Sequence, residues 1–504
     1  MSEYNDVKNA VEKLEIMQKK MAAYNHATGL LYFDSVTVAP KDTTAGRGQT
    51  MGILTEESYK VFVNDETPKL LEYLNQNEAQ LDEKIKLQVK KLDEDYKKIS
   101  NIPMDEYVQY NILINDAQSV WHEAKQKNDY LLFEPYLNKI VATVRKFATY
   151  LDNSKNPYDV WLNEYEKGLT MEVADEYFTA LRAELVPLVH KVMSSKKKID
   201  DSFSYKNYSV RKQEKLSDFL MEVLTIDRNH CNIGQTEHPF TINFNSNDVR
   251  ITTHYHKNNL LSSMFSVIHE GGHALYELNC DDEYDFTALS GGTSMGIHES
   301  QSRFFENIIG RSRSFTNYLY PYLKKMFPVQ FKDVTKVMLY EALNKSQPSL
   351  IRTEADELTY SLHVMVRYEL EKRLINGSLS TKDLPAEWNR LYKEYLGVDV
   401  PNDTKGVLQD SHWSGGAIGY FPSYSLGSAY ASQMLFHMKK GLDIDALTQQ
   451  GNLKPIVEWL KERVHKYASS KTPAEIIQIC CNEDFKPYYY TDYLKMKFSS
   501  IYEI

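Results

Sequence analysis

The chain has 504 residues, 42% hydrophobic and 25% charged, with a formal net charge of −10 at pH 7. This is enough apolar material for a large core, which excludes a disordered chain, and the acidic balance excludes general attraction to nucleic-acid phosphates or anionic membranes. Only 21 Gly and 16 Pro interrupt it, so long helices are expected, and barrels and sandwiches, which need a turn signal about every ten residues, are excluded.

The opening stretch MSEYNDVKNAVEKLEIMQKK is charged where a secretory leader would be apolar, and no apolar run reaches the roughly 20 residues that span a bilayer. A cytoplasmic setting is expected. Cys231, Cys280, Cys480 and Cys481 show no Cys-x-x-Cys spacing and are read as reduced structural thiols. Val7, Val11, Leu14, Met17 and Met21 form a helical stripe, and Leu81, Ile85, Leu92, Tyr96 and Ile99 form another; both predict packed surface helices. Lys196, Lys197 and Lys198 mark a solvated loop after a mainly helical part, 1–195. Beyond it, Phe240–Phe244 and Val249–Tyr255 are two β-rich runs around Asn-Ser-Asn-Asp, a hairpin signal. No repeat or Gly/Ser linker divides the chain, so 1–504 is read as a single domain whose part 196–504 carries the chemistry.

After the hairpin, Asn258 or Asn259 can cap a helix whose apolar row Leu261, Phe265 continues, at the same four-residue step, into His269 and His273. Two imidazoles one turn apart on an inward face are costly unless their lone pairs bind something, and a divalent metal does so. His-Glu-x-x-His on a helix is the zinc-peptidase arrangement, with Glu270 placed as general base. Gly271 and Gly272 sit within this helix, where each costs roughly 1 kcal/mol against Ala, so a strand or a substrate is expected close to that backbone. Glu299 lies far enough downstream for a second helix to fold back with a third ligand, with His298 as the other candidate, whereas ALYELNC after His273 excludes the short metzincin extension.

With His298-Glu299-Ser300-Gln301 added, the chain resembles the carboxypeptidase Taq family of zinc metallocarboxypeptidases. His238-Pro239-Phe240, Asp248-Val249-Arg250-Ile251-Thr252, Ile351-Arg352-Thr353-Glu354-Ala355-Asp356 and Gly406-Val407-Leu408-Gln409-Asp410-Ser411-His412-Trp413 agree with its other motifs, in order. Phe33-Asp34 is similar to an N-terminal segment that usually begins Trp-Asp. The resemblance implies a mainly α fold: a large helical, saddle-like body with a deep active-site groove, a small β-sheet near the metal, and commonly a homodimer. A carboxypeptidase of this kind would take peptide substrates with a free C-terminus, while the acidic balance and the lack of a spanning apolar run lead to the expectation of no nucleic-acid or membrane partner.

Site roles follow from the chemistry beside that resemblance. An exopeptidase must hold the terminal carboxylate, and an arginine fork suits it. Arg352 is the first candidate, its alternative being a salt bridge to Glu354 or Asp356. Arg250 is the second, its alternative a pair with Asp248. His412 and Tyr420, with Tyr424 as substitute, are placed against the developing oxyanion, as related Glu-type zincins do. Gln409 and Asp410 are expected to orient His412 or meet substrate, and His238 to line the groove or cap its strand. The cofactor is expected to be Zn2+, with Co2+ or Mn2+ as substitutes. The alternative activities are an internally cutting zinc oligopeptidase and a non-catalytic zinc-stabilised scaffold.

Overall fold

The computed structural model describes residues 6–504; the first five residues of the charged opening stretch lie outside it. The fold is mainly helical with one three-stranded sheet, as the scarcity of turn residues implies. Among the described residues, no helix is long and apolar enough to cross a membrane. The chain groups into two compact units. One comprises the residues up to Ser100, Ser204–Thr293 and Leu442–Thr472; the other comprises Asn101–Phe203, Ser294–Gly441 and Pro473–Ile504.

In the first unit, the helix Val7–Thr37 starts at Asp6, whose side chain accepts the Asn9 N–H at 2.8 Å, a standard way to satisfy a free helix-end donor. Its row Ala10, Leu14, Met17 is buried with Leu70, Leu71 and Leu74 of the helix Glu66–Gln76 and Ile85, Val89 and Leu92 of the helix Glu83–Ser100. The two predicted stripes therefore do face a core. Ile99, at the end of the second stripe, is exposed.

The predicted hairpin forms β2 (Thr241–Asn245) and β3 (Asp248–Thr253), antiparallel with an irregularity between Asn243 and Asn245. A strand not foreseen from sequence, β1 (Cys231–Gln235), pairs parallel to β3, which becomes the central strand. Its run CNIGQ has neither the β-branched density nor the alternation that marks a strand. Phe33, standing where the resembling family has Trp, is buried beside this sheet, its ring 6.2 Å from that of Phe240 and 5.4 Å from the Arg250 guanidinium.

The helix that follows the sheet, Leu260–Leu278, is capped by Asn259, whose side chain accepts the Ser262 N–H at 3.2 Å. The close approach expected at its glycines is made at Gly271 by Leu224 and Ile226, neither a strand nor a substrate. A Cβ at Gly271 would lie 2.6 Å from Leu224 Cδ1, so the glycine lets the turn before β1 pack onto the helix.

The second unit is built around the helix Phe421–Met438, buried on nearly every face. Small residues let it lie close to the helix Met295–Arg303. A Cβ at Gly427 would come within 2.7 Å of Glu299 Cβ, so the absence of a side chain at 427 sets the position of Glu299. Beyond Arg303 the chain continues as a π-helical segment, Phe304–Gly310, wholly buried. Such widened turns recur at functional sites. The basic loop Lys196–Lys198 has no regular structure, and the Lys197 ammonium is tied to Glu503 at 2.8 Å and Glu341 at 2.9 Å.

Candidate active site

His269 and His273 stand one turn apart on the helix Leu260–Leu278, their rings 5.0 Å apart and nearly perpendicular. Glu270 between them is buried, and its Oε2 accepts the hydroxyl of Thr241 on β2 at 2.7 Å. The sheet therefore holds the carboxylate expected to act as base. Thr241 escapes a sequence reading because it belongs to no motif, and only the packing of β2 on the helix brings it to Glu270.

Glu299 is buried on the helix Met295–Arg303. Its Oε1 accepts the Nε–H of Arg303 at 2.7 Å, and Arg303 also reaches Glu306 at 3.1 Å and lies over the Tyr360 ring at 4.4 Å. Burial opposes the charge of Arg303, but Glu299 and Glu306 outweigh it and hold the guanidinium firmly protonated. A carboxylate oriented by such a partner presents its other oxygen in a fixed direction.

His269, His273 and Glu299 each offer one donor atom, and the three atoms all lie within 4.8 Å of one another. His298 is not part of the group. Two imidazole nitrogens and one carboxylate oxygen form a three-ligand set suited to a divalent ion with a place left for water. A structural zinc would call for a fourth ligand, commonly cysteine, and all four cysteines are buried outside this group.

Arg352 pairs with neither Glu354 nor Asp356. It is 5% exposed, and its Nε–H and a terminal N–H reach Asp410 at 3.0 Å while another N–H donates to the Tyr360 hydroxyl at 3.1 Å. Asp410 also receives Arg367, at 2.7 Å from Nε and 2.5 Å from a terminal nitrogen. Burial works against ionisation of Asp410, but the Arg367 and Arg352 charges prevail and hold its carboxyl well below the usual carboxylate range. Gln409 locks the same cluster. Its Oε1 accepts from the Arg352 backbone and from Arg367, and its Nε2 donates to backbone carbonyls including Leu350 O. Arg367 appears in no motif read from the sequence and is fully buried.

His412 lies next to this cluster. Burial lowers its imidazole to about 4, with the Arg352 charge adding to the effect, so the ring is neutral at pH 7. Its Nε2 is 3.4 Å from the Tyr424 hydroxyl and its ring stacks on Tyr420 at 5.6 Å. Burial raises the phenol of Tyr420, with the Glu299 charge among the smaller causes, which brings Tyr420 into the electrostatic neighbourhood of a metal-ligand candidate. Arg250 makes the pair with Asp248, through two bonds of 3.0 Å, and lies 5.0 Å over the Phe244 ring. His238 is exposed, and its carbonyl accepts the Thr236 hydroxyl at 2.9 Å, closing the turn between β1 and β2.

Residues 13–498 match the model of the carboxypeptidase Taq (M32) metallopeptidases. The chain is 40% identical over 485 residues to Carboxypeptidase 1 of Bacillus subtilis (strain 168), covering 96% of this chain and 97% of that protein. It is 33% identical over 497 residues to Thermostable carboxypeptidase 1 of Pyrococcus furiosus, covering 97% and 98%. Among solved structures, an M32 carboxypeptidase from Deinococcus radiodurans R1 aligns with a TM-score of 0.95 at 30% identity, covering 98% of this chain and 100% of that one.

Proposed function

We propose, starting from the fact that this chain belongs to the carboxypeptidase Taq (M32) metallopeptidases and is a metallocarboxypeptidase, that it removes single residues from peptides with a free C-terminus, using Zn2+ held by His269, His273 and Glu299. The observation that carries this reading is the gathering of those three donors around Glu270's helix, with Glu270 itself held by Thr241. Co2+ and Mn2+ would suit the same nitrogen and oxygen donors. When bound, the ion lowers the pKa of a coordinated water towards about 7 and polarises the scissile carbonyl. Glu270 takes the proton of the attacking water and returns it to the leaving amine. Neutral His412 and the Tyr420 hydroxyl, with Tyr424 as substitute, donate to the oxygen on which negative charge develops.

Arg352 receives the substrate's terminal carboxylate. Asp410 and Tyr360 engage three of its five N–H groups, leaving one on each terminal nitrogen, the fork that accepts a carboxylate in two bonds. Charge supports the same role. One aspartate lies between two guanidiniums, and with His412 neutral the cluster carries an excess positive charge that an incoming carboxylate offsets. Gln409 fixes the fork in place, and Arg250 and His238 serve the sheet.

The reading includes a cytoplasmic setting, supported by four buried cysteines with no Cys-x-x-Cys spacing, and a homodimer, supported by the family resemblance. The experiment is to compare a peptide with its C-terminally amidated twin, following products by mass spectrometry alongside metal analysis. Loss of the charged contact is expected to lower kcat/KM for the amidated peptide by about a hundredfold. Equal cleavage of both would defeat the exopeptidase reading and favour internal cutting.

A further inference from the structure

Glu371 is a fully buried carboxylate that none of the steps above employs. Its Oε1 accepts the indole N–H of Trp413 at 2.7 Å, and its Oε2 accepts the backbone N–H of Gly419 and the hydroxyl of Tyr158, each at 2.9 Å. Trp413 directly follows His412, and Gly419 directly precedes Tyr420. One carboxylate thus grips both ends of the turn that presents the two groups assigned to the oxyanion.

The helix Pro157–Tyr165 braces the same turn. Gly419 has φ +88°, and a Cβ there would meet the backbone carbon of Trp161 at 2.8 Å, so only glycine lets the turn press this closely onto the helix. Tyr165 sets its ring edge-on to Tyr420 at 5.1 Å, and Tyr158 reaches back to Glu371. Burial pushes the Glu371 carboxyl up to about 7, against the pull of its donors. A buried carboxylate is costly unless it is well supplied with donors; here its two oxygens draw donors from both ends of the loop and from the bracing helix.

We propose that Glu371 is a positioning residue for peptide hydrolysis: by holding Trp413 and Gly419 together, it fixes His412 and Tyr420 where they meet the developing oxyanion. This rests on the assignment of those two residues made above. Displacement of a reacting group by about 1 Å costs on the order of a hundredfold in rate, so the grip matters to the transition state more than to substrate binding.

The test is steady-state kinetics with metal analysis on the full chain. Glu371→Gln is expected to lower kcat about thirtyfold, with KM and metal content unchanged, as loss of a contact effective only in the transition state requires. An amide that keeps its oxygen towards Gly419 and Tyr158 turns its NH2 towards the Trp413 N–H. Adding Trp413→Phe to Glu371→Gln should therefore recover kcat at least about threefold, although Trp413→Phe alone lowers it. Wild-type kcat in Glu371→Gln, a loss that tracks metal content, or strictly additive losses would overturn the proposal. Should Glu371→Gln fail to fold, Tyr158→Phe removes a single donor and carries the test, with a kcat reduction of about threefold expected at constant KM and wild-type kcat overturning the idea. His412→Gln and Tyr420→Phe separate the two levels. If both keep wild-type kcat, the oxyanion assignment itself falls; if both lose it while Glu371→Gln does not, only the positioning role falls.

Discussion

Replacing Asp410 by Asn keeps the shape of the side chain and removes the single negative charge that two buried guanidiniums share. Arg367 is 0% exposed and Arg352 5%, so water cannot take over the lost interaction. At separations near 4 Å and an effective dielectric constant of about 20, each pair is worth roughly 4 kcal/mol before desolvation is subtracted. Breaking a buried pair from one side costs about 3–5 kcal/mol net. We expect Asp410→Asn to lose about 4 kcal/mol and, at 2–4 °C per kcal/mol for a unit of this size, to melt about 10 °C lower. The pH dependence has a fixed sign. The folded-state pKa of Asp410 is depressed below its unfolded value of about 3.9, so its contribution is present above about pH 4 and fades as pH falls through the folded pKa. The gap between wild type and variant, measured by urea unfolding, should be flat from pH 8 to 5. Arg352→Met should cost only about 1 kcal/mol in the Asp410→Asn background, because the guanidinium's charged partner is already gone and its bond to the Tyr360 hydroxyl is what remains to lose. A gap smaller than 1 kcal/mol at pH 7, or one that shrinks between pH 8 and 6, would refute the reasoning.

Glu270→Gln should retain its metal yet lose about a thousandfold in kcat, as removal of a general base does; full activity would remove Glu270 from that role. Arg303→Met takes away the donor that orients Glu299 and should weaken metal affinity about 10- to 100-fold, measured by competition with a chromogenic chelator; unchanged affinity would show that Glu299 needs no such support. For His412, the folded-state pKa of about 4 lies below the unfolded value of about 6.5, so the unfolded chain takes up the proton first and stability falls as pH drops from about 7 to 4. His412→Gln should therefore abolish about 2 kcal/mol of the stability loss between pH 7.5 and 5, read from urea midpoints; an unchanged loss would contradict a buried neutral imidazole.

The proposed metal ligands can be read from the sequence because coordination chemistry restricts their spacing. His269 and His273 occupy the next two places on the row begun by Leu261 and Phe265, and the cap at Asn259 and the hairpin at 241–253 are equally local signals. The residues that aim these groups obey no such restriction. Arg303 stands one helical turn from Glu299 and so is visible in principle, but an i,i+4 pair ordinarily lies at the surface and is worth little; burial, which no spacing announces, gives this one its weight. The partner of Arg352 lies 58 positions away and that of Arg367 43. The nearer acid, Asp356, is committed to its own loop, accepting from Ser346, Gln347, Leu358 and Thr359. Glu371 looks from sequence like any glutamate on a helix, and its three donors come from two stretches remote from it, the helix that holds Tyr158 and the loop from Trp413 to Gly419. A metal accepts few donor types in few geometries, whereas a carboxylate can be oriented by any hydroxyl, indole or amide that packing delivers. The reacting groups of such an enzyme thus leave a pattern in the chain, and the groups that make them effective become visible only once distant segments have packed together.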